Sequence, residues 1–198
     1  MKKTLIMLSG GMSSGKDTFA SYVKANYIFS QTAFADHMKE SLFLLVKPLV
    51  PELTIFHFYD PSLKNEPLSL RSDLSKKFYT PRDLMQWYGE VVKENFGIYY
   101  WCKIVENKIK DTSDNIIITD ARFIYEIEYF KNSSYINHNY SVNTILINRE
   151  NVNPSSSNSS HISENHFKNY KNFDFVLQNE STLDNFYKKI KDIMEKIK

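Results

Sequence analysis

At 198 residues the chain has the length of one domain, or of one domain carrying insertions, and can bury a core without disulfide staples. Its one cysteine, Cys102, excludes an internal disulfide and fits a reducing, cytoplasmic setting. A formal net charge of +2 lacks the basic excess of a dedicated nucleic-acid surface, and no apolar run approaches a membrane span.

Met1-Lys2-Lys3 followed by TLIMLSGG has the outline of a signal start, but the apolar stretch is short and runs straight into glycines. Residues 3–9 read instead as a buried parallel strand. After Gly15, KDTFASYVKANY places Phe19, Tyr22 and Val23 at helical spacing. FADHMKESLFLLVKPLV predicts a second helix that Pro48 and Pro51 end. Residues 51–79, with three prolines and scattered charge, predict a short helical or looped excursion. TPRDLMQWYGEVVKENF has a strong helix start: Thr80 as N-cap, Pro81 in the first turn and Asp83 near the positive dipole end. YYWCKIVENKIKD predicts another helix, NIIITD a strand ending in an acid, ARFIYEIEYFK a helix and VNTILIN a strand. NVNPSSSNSS is polar and of low complexity, and reads as mobile. FDFVLQN is the last strand. STLDNFYKKIKDIMEKIK is an amphipathic helix opened by Ser181 and Asp184, its apolar stripe reading as core cover. Strands alternating with helices give an α/β fold on a mainly parallel sheet.

The chemistry starts at LSGGMSSGKDT, residues 8–18. Leu8-Ser9-Gly10-Gly11 spells the start of a transporter ATPase signature, while Gly10-x-x-x-x-Gly15-Lys16 spells a P-loop. The strand before and the helix after select the P-loop, whose glycines leave none for the other motif. In this reading the backbone N–H groups of Gly10, Gly11, Met12, Ser13, Ser14 and Gly15 turn onto phosphate oxygens. The helix N-terminus adds its dipole, and Lys16 brings a charge to the β and γ phosphates. The bland alternative is a glycine-rich turn with no ligand. Asp17 stands where Ser or Thr is usual. Either its carboxylate holds Mg²⁺ through water or the Thr18 hydroxyl reaches the metal, and the sequence does not choose. No glycine has an aspartate three residues earlier, and NKIK at 107–110 ends in lysine, so the GTPase motifs are missing.

Asp120 ends a strand and Arg122 follows two residues on. At the carboxyl edge of an open α/β sheet such an acid orders Mg²⁺ or holds a substrate hydroxyl, and the arginine grips phosphate. The alternative is a helix N-cap and a surface arginine. Trp101, in FGIYYW, reads from composition as core packing. Arg82 reads equally as a solvated helix residue or a ligand contact. Asp36 reads equally as an N-cap, and Lys39 as a surface charge. His161, Glu164 and His166 do not have zinc-site spacing. Between Arg149 and Lys168 there is no lysine or arginine, so a charge-stabilising cation comes from Lys16, Arg122 or Arg149.

Taken in order, LSGGMSSGKDT, FADHMKESL, RDLMQWYGEVV, YYWCKI, TDARFIYEIE, HISE and FDFVLQNESTLDNFYKKIKDIM resemble the deoxynucleoside monophosphate kinase family of the bacteriophage T4 type. The resemblance spans nearly the whole chain, with gaps in residues 45–78. It implies one P-loop domain over 1–198, a three-layer α/β/α fold, an acceptor-side insertion at 45–79 and a short lid at 149–166. It implies ATP and Mg²⁺ as cofactors and a deoxynucleoside monophosphate such as dTMP or dGMP as substrate. No nucleic-acid polymer or membrane is implied as partner, a homodimer is left open, and the setting is viral, in the host cytoplasm. The resemblance carries Asp120, Arg122 and Glu126 to the acceptor nucleotide. It makes Trp101 a stacking face for the base, Arg82 a phosphate or base contact, and Asp36 and Lys39 acceptor-facing, with His161 and Glu164 ordering the lid. The catalytic set is then Lys16, Asp120, Arg122 and Arg149, and the metal set Asp17, Thr18 and Asp120. Two rivals stand beside this reading: another small-molecule P-loop kinase, of phosphomevalonate or dephospho-coenzyme A type, and a nucleotide-binding module with weak transfer.

Overall fold

The computed structural model describes residues 2–74, 76–149, 167 and 170–197. The expected lid, with His161 and Glu164, lies outside the described residues except for Arg149. The chain divides into two compact units: Met1–Ala33 with Val105–Lys198, and Phe34–Ile104.

The first unit is built on a five-stranded sheet, β1 (Lys3–Ser9), β2 (Phe29–Thr32), β3 (Asn115–Ile118), β4 (Tyr140–Asn148) and β5 (Phe175–Gln178), in the order β2-β3-β1-β4-β5. Every pairing is parallel, with Leu5 opposite Ile116 and Val142, and Leu146 opposite Val176. The central strand β1 is covered on both faces, which is why it is a continuous apolar run. Its alternate residues Ile6 and Leu8 join Phe19, Ala20 and Val23 of helix α1 (Lys16–Asn26) in one core. Phe186, Ile190, Ile193 and Met194 of the C-terminal helix, Leu183–Lys196, complete it. Leu5 and Met7, of the opposite parity, are equally buried and point to the other face. Parallel strands require crossover connections, and the helices they carry flank the sheet, giving the expected three layers.

The second unit holds helix α2 (Phe34–Val46), a 3₁₀ turn (Ile55–Phe58), helix α3 (Pro81–Phe96) and the first turn of α4 (Tyr100–Lys110). It has its own apolar cluster of Leu42, Val46, Val50, Leu53, Phe58, Leu68 and Leu84. The excursion expected over 51–79 contributes the 3₁₀ turn and a small antiparallel pairing. Leu68 N donates to Tyr79 O at 2.8 Å, Tyr79 N to Leu70 O at 2.9 Å, and Arg71 bridges Phe78. The start of α3 is as the sequence predicts. Asp83 N donates to Thr80 Oγ1 at 3.1 Å, and Thr80 N to Asp83 Oδ2 at 3.0 Å, a reciprocal cap with Pro81 at the first position.

Three local expectations need correction. The helix expected from Ala121 begins at Ile124 (α5, Ile124–Asn132), because Ala121 N is committed to Leu8 O at 3.1 Å. The last helix (α7, Leu183–Lys196) is capped by Thr182, whose Oγ1 accepts from Asn185 N at 3.4 Å, and not by Ser181. Asp36 lies in the first turn of α2, past the cap position. The residue pattern also passes over β2 and the six-residue α6 (Ser134–Asn139). β2, FSQT, lacks the apolar run that marks β3, and α6 is too short to establish a helical period. No described helix is long and apolar enough to cross a membrane.

Candidate nucleotide site

The loop between β1 and α1 is shaped by glycine. Gly10 has φ +144°, and a Cβ there would stand 2.3 Å from Ile147 O of β4, so only glycine lets the loop leave the strand so close to its neighbour. Lys16 folds back over the loop and donates to Gly10 O at 2.8 Å, Gly11 O at 2.6 Å and Ser14 Oγ at 3.4 Å. Its ammonium is thereby held over the cradle by partners that phosphate oxygens can replace. The helix that follows adds its positive N-terminal end, with Asp17 in the first turn.

A cavity of about 250 Å³ opens on this loop. Residues Ser13 to Thr18 form one wall, Arg149 from the end of β4 another, and Asn179, Ser181, Leu183 and Phe186 from β5–α7 the third. Arg149 donates to Ser13 O at 3.4 Å, and Asn179 Nδ2 to Ser14 O at 2.8 Å. The predicted Lys16, Asp17, Thr18 and Arg149 therefore converge on one space. Sequence reasoning missed the third wall, whose only signal is its place just after a parallel strand, where ligands of open α/β sheets bind.

Asp120 sits on the same carboxyl edge. Beyond β3 the chain stays registered with its neighbours, Thr119 N donating to Thr32 O at 3.2 Å and Ala121 N to Leu8 O, so Asp120 is held half-buried between two anchored residues. Arg122 is exposed. Glu126 is buried, and its Oε2 accepts from Arg122 N at 2.7 Å and Phe123 N at 3.0 Å, closing the start of α5. Burial pushes its pKa up to about 8. The nearby Asp120 charge acts in the same direction, while the two N–H groups and Arg122 oppose it. Glu126 therefore shapes the turn that presents Asp120 and Arg122.

The remaining predicted residues belong to the second unit. Asp36 and Lys39 pair at 3.6 Å along α2, and the Lys39 ammonium lies 4.0 Å from the centre of the Tyr59 ring. Burial, then the Asp36 carboxylate, push the Tyr59 hydroxyl up to about 12. Arg82 is steadied through Nε, which donates to Asn65 Oδ1 at 2.8 Å. Trp101 stands edge-on to Tyr100 at 5.0 Å and to Tyr88 at 6.0 Å between ring centres. Its Nε1 is buried without a hydrogen-bond partner among the described residues.

A glycine-rich loop between the first strand and first helix of a parallel, helix-covered sheet is the arrangement of the P-loop fold. A dephospho-coenzyme A kinase from Campylobacter jejuni superposes on this chain with a TM-score of 0.52, at 12% identity, over 98% of this chain and 97% of that one. That likeness concerns the fold. The family is given by the sequence of residues 63–190, more than half of the chain, which matches the deoxynucleotide monophosphate kinase family. The chain belongs to that family and is a nucleotide kinase. A protein of Acanthamoeba polyphaga mimivirus, provisionally described as a deoxynucleotide monophosphate kinase, is 26% identical over 94% of this chain and 93% of its own length. The P-loop lies before residue 63, so loop and family match are separate observations.

Proposed function

We propose that the enzyme transfers the γ-phosphoryl group of MgATP to the phosphate of a deoxynucleoside monophosphate such as dTMP or dGMP, yielding the diphosphate. The observation that carries this reading is the cavity where Lys16, Arg149 and the start of α1 line one space, in a chain of this family. The acceptor phosphate is already ionised at neutral pH, so no strong base is needed. Catalysis is then positioning and charge neutralisation. Lys16 would exchange the carbonyls of Gly10 and Gly11 for β and γ phosphate oxygens, and Arg149, already at the loop, would answer the charge that develops on the transferring group.

Mg²⁺ in such sites keeps several waters and takes one or two carboxylates beside the phosphates. Asp17 and Thr18 line the cavity, and a carboxylate and a hydroxyl fit that donor set, with Asp120 just after β3 as a further hard oxygen. The metal would supply Lewis-acid polarisation of the phosphates. The family resemblance gives acceptor roles to Asp120, Arg122, Asp36, Lys39, Arg82 and Trp101. Glu126 acts through the turn it closes. The mimivirus relative supports a viral setting.

The test is a coupled assay of ADP release with MgATP. Its panel holds dTMP, dGMP, dCMP, dAMP, their ribose forms, phosphomevalonate and dephospho-coenzyme A. One or more deoxynucleotides are expected to serve, with kcat/KM falling at least ~100-fold in Lys16→Ala. ADP release with a non-nucleotide acceptor alone would overturn the acceptor assignment.

A further inference from the structure

The geometry points to Asn179 as a positioning residue for the donor phosphates: from the turn after β5 it sets the shape of the P-loop and does not read the donor base. The inference rests on the P-loop reading above. Asn179 is itself fixed, because its backbone N–H donates to Asn148 O at 2.8 Å and extends the β4–β5 ladder by one residue. From there the side-chain amide crosses to a loop 165 residues earlier and donates to Ser14 O at 2.8 Å.

Ser14 is thus held twice, its backbone carbonyl by Asn179 and its side-chain hydroxyl by the Lys16 ammonium. Ser14 is only 3% exposed, so the loss of either bond leaves a polar group stranded. A trans peptide is planar, with C=O and the following N–H pointing oppositely. Fixing Ser14 O therefore fixes the Gly15 N–H, one of the donors at the entrance to α1. Gly15 is packed against the amide: a Cβ there would meet Asn179 Nδ2 at 2.7 Å and the Phe186 ring at 3.1 Å. One carbonyl earlier, Arg149 holds Ser13 O from β4. Two successive loop carbonyls are thereby tied to the ends of two neighbouring strands. A ligand group that binds the loop N–H groups finds them oriented in advance, which lowers its ordering cost.

The experiment measures binding of three probes by calorimetry: ATP, inorganic tripolyphosphate and adenosine. Asn179→Ala removes the donor. Asn179→Leu removes it while keeping bulk, and serves if the alanine variant does not fold, with melting curves as the check. Both variants are expected to weaken ATP and tripolyphosphate by the same factor, about tenfold, and to leave adenosine unchanged. Loss of adenosine and ATP affinity with tripolyphosphate binding retained would make Asn179 a base or ribose contact and overturn the inference. So would unchanged affinity for all three probes. Failure of the wild type to bind tripolyphosphate would instead remove the P-loop reading on which the inference stands.

Discussion

Glu126 gives a pH dependence whose sign follows from burial. Unfolded, its carboxyl titrates near the ordinary value of 4.5, while in the fold burial holds it up at about 8. Between those limits the folded chain keeps a proton that the unfolded chain has lost, so stability falls as pH rises. The contribution is fully present below about 4.5 and is lost progressively up to about 8. Each pH unit in that window costs ~1.4 kcal/mol, so the step from pH 5 to pH 7.5 removes about 3 kcal/mol. Glu126→Gln supplies a neutral group whose amide oxygen can still accept from Arg122 N and Phe123 N. The assay is urea unfolding of both proteins across that pH range. The wild-type curve should fall by about 3 kcal/mol relative to the variant, and kcat/KM of Glu126→Gln should stay within a few-fold at pH 7. Parallel stability curves would refute the reasoning, because they would mean that Glu126 is ionised in the fold. Its bonds to the α5 entrance would then outweigh its burial.

Thr80→Ala removes a reciprocal cap and is expected to cost ~1 kcal/mol, read as a drop of about 3 °C in melting temperature. Gly10→Ala forces a Cβ against the β4 backbone at a positive φ, and should cost about 3 kcal/mol or more together with nucleotide binding; calorimetry with ATP checks the second effect. Trp101→Ala should raise KM for the acceptor about tenfold or more while sparing KM for ATP, and an equal rise in both would remove it from the acceptor side.

The P-loop and most helices were legible in the sequence for a physical reason. A loop whose backbone must turn onto phosphate needs glycines at set spacing, and an amphipathic helix repeats its apolar residues every three or four positions. Thr80, Pro81 and Asp83 likewise announced the start of α3 within four residues. The residues proposed for the acceptor entered through resemblance, because a single arginine on a helix face, such as Arg82, carries no local sign of its partner.

What the sequence by itself determined, then, is local: β1, the loop from Gly10 to Lys16, the cap of α3 and the apolar stripes. Only the tertiary structure decided that β4 and β5 flank β1 on one side, bringing Arg149 and Asn179 to a loop more than 130 residues away. It also decided that Glu126 turns inward onto its own backbone, and that residues 34–104 close a core of their own. Strand order and long-range side-chain bonds depend on which apolar faces bury one another across the whole chain, and no window of sequence holds that information.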